Sequence, residues 1–154
     1  MNDFMKIAIL EAFDGLKNNH GGPFGAVIVK DNEIIASSHN EVLKNNDCTD
    51  HAEMIVIREA SKILGNFDLS DCEIYSSCEP CPMCFAAIHW AKIKKLYYGC
   101  TRVDAGKIGF DDEYIYEVIK GAKVNKKVDV INIDRDSCLE LFKEWKKNPH
   151  RKQY

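Results

Sequence analysis

Cys78, Cys81 and Cys84 fall in one short stretch, SSCEPCPMCFAAIHW, and no other feature of this 154-residue chain restricts its fold as tightly. Thiols so close together serve as a disulfide framework only in an oxidising compartment; elsewhere they read as metal ligands or a redox pair. The chain has seven cysteines, an odd number, and its start, MNDFMKIAIL, carries an early acid and no small-residue cleavage site. We read no export signal there and expect a cytoplasmic protein with free thiols. Cys81 and Cys84 stand three apart at the predicted start of a helix, so both sulfurs share a face and can reach one ion. Pro82 suits the first turn, and the partial positive charge of a helix N-terminus favours the thiolate that binds metal. Cys78 is off that face and is read as lining or supporting the site. A four-thiolate zinc would need another close cysteine pair, which is missing. Cys48, Cys72, Cys100 and Cys138 stand alone and read as small buried apolar groups.

Such a site needs a scaffold that brings further ligands to the same helix start. Apolar spacing at Phe4, Ala8, Ala12 and Leu16 predicts a helix over 3–18, stopped by NNHGGP. FGAVIVK and EIIASS read as strands joined by a tight turn at Asp31 and Asn32. After a polar loop, HNEVLKNNDCTD, a helix is expected over 51–64, ending at Gly65. CEIYSS is a strand, 82–92 a helix and KKLYYG a strand. A loop over 100–111, a short helix near 112–120, a last strand at KKVDVINI and a last helix over 136–148 complete the reading. Strands alternating with helices predict a three-layer α/β domain with parallel pairings after the first hairpin. No repeat or linker divides the chain, so one domain is expected over 1–154.

The third ligand is sought in TDHAEM, where His51 opens a helix and Glu53 follows. Singly, each has an ordinary explanation: a structural histidine, and a capping box formed by Asp50 and Glu53. Together with the cysteines they make H-x-E followed by P-C-x-x-C, the signature of zinc nucleobase deaminases. His51, Cys81 and Cys84 would hold one zinc ion. Three protein ligands leave the fourth tetrahedral position open to water, which marks a catalytic rather than a structural site. Glu53 is then the carboxylate that shuttles protons.

These segments resemble the cytidine deaminase-like superfamily, in the branch that holds tRNA adenosine deaminases and bacterial guanine deaminases. GGPFGAVIVKD, NDCTDHAE, SCEPCPMCFAAIHWAKI, GFDDEYIYEVI and the C-terminal FKEWKKNPHRKQY all look like guanine deaminase segments. The resemblance implies a mixed five-stranded sheet between helices. It also implies a homodimer in which residues from about 136 to 154 cross to the partner, with one Zn2+ per subunit. It implies further that Asn40 contacts a purine, that Phe24 and Trp90 wall it, that Asp112 accepts from a ring N–H, and that Tyr154 closes the pocket. Each keeps a plainer alternative: core packing for Phe24 and Trp90, a turn residue for Asn40, a helix cap for Asp112, a frayed end for Tyr154.

Guanine deamination to xanthine and ammonia is the function this reading implies. The alternatives are deamination of tRNA adenosine or another base or nucleoside, and a non-catalytic zinc-stabilised protein. A formal net charge of −3 argues against nucleic acid as the main partner. No apolar run approaches the roughly 20 residues of a membrane span.

Overall fold

One strand dictates the layering. The run GAVIV is apolar at every step, so a strand made of it must be covered on both faces. In the computed structural model, which describes residues 1–153, this run is β1 (Gly25–Lys30). Its Ala26 and Ile28 enter a core with Val56, Leu69, Ile74 and Ile88, while Val27 and Val29 join Ala8 and Tyr75 on the other face. Helix α1 (Asp3–Lys17) covers the second face; it starts at Asn2, whose side-chain oxygen accepts from the amides of Phe4 and Met5 at 3.0 Å. Gly25 lets α1 lie directly on β1, since a Cβ there would sit 2.0 Å from the Ala8 carbonyl oxygen.

The turn at Asp31 and Asn32, both left-handed with φ 51° and 64°, returns the chain as β2 (Glu33–His39), as expected. The polar loop that follows holds one short helix, α2 (Val42–Asn45). Helix α3 (Ala52–Leu64), closed by Gly65 at φ 63°, and helix α4 (Pro82–Trp90) cover the first face. Between them runs β3 (Glu73–Cys78), and after α4 comes β4 (Lys95–Cys100). The result is a helix layer on each side of one sheet.

The sheet departs from expectation in two ways. Its order is β2-β1-β3-β4, four strands rather than five, and only β3 with β4 is parallel; β1 meets both β2 and β3 antiparallel. The missing strand is KKVDVINI. Its alternation is real, but a strand exists only where an edge receives it, and this segment pairs with none. Val128, Val130, Ile131 and Ile133 are 66–83% exposed. Among the described residues the outer edge of β4 stays open.

The expected loop over 100–111 contains α5 (Arg102–Lys107), opened by a capping box. Thr101 Oγ1 accepts from the Asp104 amide, and the Asp104 carboxylate accepts from the Thr101 amide. Helices α6 (Glu113–Ile119) and α7 (Arg135–Lys147) follow. Of the isolated cysteines only Cys72 is buried; Cys48, Cys100 and Cys138 are exposed, because they sit on a loop, the open edge strand and the uncovered α7. No helix among the described residues is long and apolar enough to cross a membrane.

Candidate active site

Two helix starts meet beside the end of β3. His51 occupies the N-cap position of α3 and Cys81 that of α4, both with extended backbone, and Cys84 lies one turn into α4. Neither helix has a side-chain cap. The amides of both first turns therefore present their partial positive charge to the same small region. His51 Nδ1 lies 3.5 Å from Cys81 Sγ and 3.6 Å from Cys84 Sγ. These three atoms all fall within 4.8 Å of one another, so they could hold one metal ion. The structure thus brings together the three residues that their spacing singled out.

The charges fit a soft cation. A hydrogen bond from the Cys84 thiol, then one from His51, holds Cys81 down to about 4 against its burial. Cys84 is driven upward, first by the neighbouring Cys81 sulfur and then by its own complete burial. His51 is raised, chiefly by its bond to Cys81. One proton shared between two sulfurs is the arrangement a zinc ion replaces, taking both as thiolates with one imidazole.

Glu53 is turned inward. It is 5% exposed, and one carboxylate oxygen accepts from Ser76 Oγ at 2.9 Å. Burial raises its pKa above the ordinary carboxylate value. The capping-box alternative is not realised: Asp50 is engaged by Arg58 and Asn45 instead, at 2.5 and 2.8 Å. Ser76 was missed in the sequence; a serine on the strand face that otherwise carries Ile74 and Cys78 is the signal that could have found it.

A pocket of about 290 Å³ opens on these groups, lined among others by Phe24, Cys78, Glu79, Arg102, Phe110 and Asp112. Phe110 meets Phe24 edge-to-face, with ring centroids 5.0 Å apart. Arg102 pairs with Glu79 at 3.4 Å and lies over the Tyr116 ring, whose hydroxyl donates to the Pro80 carbonyl at 2.9 Å. That chain of contacts braces the cysteine-bearing turn from α6. Asp112 stands at the start of α6 without capping it; Asp111 accepts from the Glu113 amide instead. Burial first, and then the charge on Cys81, raises the Asp112 carboxyl.

Other expected residues lie elsewhere. Asn40 is buried but does not line the pocket; its Oδ1 accepts from the amides of Gly22 and Val42, and its own amide donates to the Phe24 carbonyl. Trp90, at the end of α4 and 66% exposed, lines a shallow apolar groove with Ile57, Phe67 and Ala87 rather than this pocket. Tyr154 lies outside the described residues. Cys78 does line the pocket, from the end of β3 rather than from a loop, with its thiol pushed up to about 11 mainly by burial.

Comparison with known proteins agrees with this geometry. The chain is 43% identical over 151 residues to guanine deaminase of Bacillus subtilis, covering 98% of this chain and 97% of that one. The solved structure of that enzyme superimposes with a TM-score of 0.93 over 100% of this chain and 99% of that one. A structure from a study of tRNA:A34 deaminases, 44% identical, gives 0.62 over 64% of this chain and 70% of that one. Guanine deaminase from Nitrosomonas europaea, 29% identical, gives 0.66 over 71% and 63%. Residues 1–100 match the cytidine and deoxycytidylate deaminase zinc-binding region. With its histidine and two cysteines gathered at a pair of facing helix starts, the chain belongs to this family of zinc-binding deaminases.

Proposed function

We propose that the chain is a guanine deaminase: a single domain over residues 1–154, acting in the cytoplasm as a homodimer, that converts guanine and water to xanthine and ammonia. One observation carries this reading. Its likeness to the Bacillus subtilis enzyme runs through the C-terminal third, at a TM-score of 0.93 over the whole chain, whereas the tRNA:A34 deaminase structure matches 64% of it. The pocket also sits at the small end of the roughly 300–1,000 Å³ usual for ligand sites, a size suited to one base.

In this reading His51, Cys81 and Cys84 hold zinc, which when bound supplies the Lewis acidity that makes water nucleophilic near neutral pH. Phe24, backed by Phe110, offers an apolar wall to the ring, and Asp112 accepts from a ring N–H. Water adds at C2 of guanine. Glu53 takes one of its protons and passes it to N3, then takes the second from the new C2 hydroxyl and delivers it to the departing amine as the C2–N bond breaks and C2=O forms. Ser76 holds the Glu53 carboxylate in place through the interval. Asn40 acts one layer back, fixing through its side-chain oxygen and its backbone amide the segment that carries Phe24.

Trp90 does not line its own chain's pocket, so we assign it to the partner subunit's pocket, along with Tyr154. Exchange of about 136–154 gives a use to surfaces that are otherwise unexplained. Leu141 and Phe142 of α7 are more than two-thirds bare at 69% and 67%. An apolar cavity of about 740 Å³ between α1, β4 and α5 is lined by Met5, Ile9, Phe13, Leu16, Ala105 and Ile108. Exposed apolar area on this scale marks an interface.

The test is to incubate the zinc-loaded enzyme with guanine and measure xanthine and ammonia. Turnover of guanine with none of a tRNA anticodon adenosine is expected; the reverse result assigns the chain to the tRNA branch and rejects guanine.

A further inference from the structure

A second group of donors converges away from the thiolate site. His20 Nδ1 lies 2.8 Å from His39 Nε2, and Glu41 Oε1 lies 3.7 Å from that same nitrogen. The three ligand atoms fall within 4.8 Å of one another. They reach this point from different parts of the chain: the loop after α1, the end of β2 and the turn entering α2. No role proposed above uses any of them.

His39 is already held in the tautomer that ligates. Its side chain is 8% exposed, and Nδ1 donates to Glu11 Oε2 at 3.1 Å. The other oxygen of Glu11 accepts from Ser37 Oγ at 2.7 Å. An ionised carboxylate only accepts, so Nδ1 carries a proton, and the neutral ring then offers the Nε2 lone pair toward His20 and Glu41. A carboxylate behind an imidazole is the support that metal-binding histidines commonly have. Gly15 completes the seat: a Cβ there would come 2.7 Å from Cδ2 of the His39 ring, so any side chain at this turn of α1 would dislodge the imidazole.

We propose that His20, His39 and Glu41 form a second divalent-cation site, distinct from the one made by His51, Cys81 and Cys84. Two imidazoles and one carboxylate suit zinc or a neighbouring transition ion, whereas magnesium and calcium prefer oxygen ligands. Without an ion, His20 donates its Nδ1 proton to His39 Nε2, and Glu41 is shared by Lys44 at 2.7 Å and Asn45 at 3.0 Å. When an ion enters, the His20 proton passes to its other ring nitrogen, Lys44 gives up Oε1, and no net charge need leave the protein. The two nitrogens then part to the roughly 3.3 Å set by tetrahedral zinc with Zn–N bonds of about 2.0–2.1 Å. His20, only partly buried and on a loop, can make that half-ångström adjustment.

The placement gives the ion a consequence. The amides of Leu43 and Lys44 already donate to the His20 carbonyl, at 2.9 and 3.0 Å. His39 and Glu41 flank Asn40, whose Oδ1 binds the Gly22 and Val42 amides. An ion on this cluster therefore ties the 18–22 loop to the 39–45 segment on both sides of Asn40, and rigidifies the part of the chain that carries it.

The test counts ions on the full-length protein. After dialysis against excess Zn2+, elemental analysis should give two zinc ions per chain for the unaltered protein and one each for His20→Gln and Glu41→Gln. Cobalt identifies the ion that remains: the thiolate-to-cobalt absorption of the cysteine site should be unchanged in both variants, whose folding is checked by circular dichroism. Glu11→Gln should weaken only the second ion, by about 10–100-fold in affinity. Saturation of the unaltered protein at one ion per chain overturns the proposal. So does retention of the second ion by both variants, which would assign it to other surface histidines. Should one variant fail to fold, the other decides.

Discussion

The first hundred residues and the last third of this chain are built on different principles. Every buried residue lies between Ala8 and Ile93; after Ile93 no described residue is buried. The family match stops at residue 100, where β4 ends. The first region has a strand covered on both faces, two cores and the facing helix starts that hold the thiolate site. The second contributes Phe110 and Asp112 to the pocket, together with three helices none of which holds a buried residue. The contrast teaches where each property resides. Metal chemistry needs ligands fixed to a fraction of an ångström, which a packed core provides. Substrate choice needs only walls and a few polar groups, and these can come from segments whose own burial depends on a partner.

The largest expected effect tests the chemistry of the packed region. Glu53→Gln should lower kcat for guanine by about 10²–10⁴-fold while keeping the fold and the thiolate-site metal. The replacement amide still accepts from Ser76, so the shape of the site is preserved. Elemental analysis and thermal melting beside the kinetics separate the two effects. Loss of zinc or of folding with activity would make Glu53 a structural residue, and the contrast between regions would lose its chemical half.

Stability comes next. Ile74, wholly buried in β3, should cost about 2–5 kcal/mol when cut to alanine. Ile131, 77% exposed, should cost under about 0.5 kcal/mol by the same measure if it stays in water. Exchange between subunits predicts something else for α7: Leu141→Ala and Phe142→Asp should leave the secondary structure intact while making melting temperature and activity fall on dilution. Sedimentation across a concentration series distinguishes these outcomes. An unaltered dimer in both variants would mean that the C-terminal segment is not the shared element.

What could be read in the sequence follows the same division. The thiolate site was legible because its logic is local: Cys81 and Cys84 share a turn, His51 and Glu53 share another, and each pair opens a helix. The hairpin was legible from Asp31 and Asn32, which take left-handed backbone at no great cost. The fifth strand was misread because alternation reports a willingness to pair and not the presence of an edge. Trp90 and Asn40 could be placed near a purine only by resemblance, since which groove a side chain lines is a tertiary property. For the same reason the convergence of His20, His39 and Glu41 was invisible: nothing in their spacing requires that α1 carry Glu11 to the imidazole.

A smaller effect concerns the substrate side. Asp112→Asn should lower kcat/KM for guanine by about 10–100-fold, the loss typical of a hydrogen bond to a charged acceptor, with no change in melting temperature. Asp111→Ala, which removes the acceptor of the Glu113 amide, should mainly loosen the start of that helix. If the two variants lose activity equally, Asp112 acts by holding α6 and not by meeting the base.

The smallest effect sets one exposed carboxylate from each region against the other. Asp68 and Asp104 are both held down to about 2, the first mainly by hydrogen bonds from Ser70 and then from Lys92, the second by those from Thr101. Both are depressed from 3.8. What each contributes is therefore present above that value and is lost as the pH falls toward about 2. They differ in what they join. Asp68 meets Lys92 at 3.1 Å across two loops of the packed region, whereas Asp104 closes only its own helix. Melting curves from pH 5 down to 2 should therefore show Asp68→Asn flattening the acid decline of the melting temperature, and Asp104→Asn leaving it nearly as in the unaltered protein. Equal flattening by both would mean that α5 is coupled to the core as firmly as the loops that pack on it, and the division at residue 100 would describe burial without describing cooperativity.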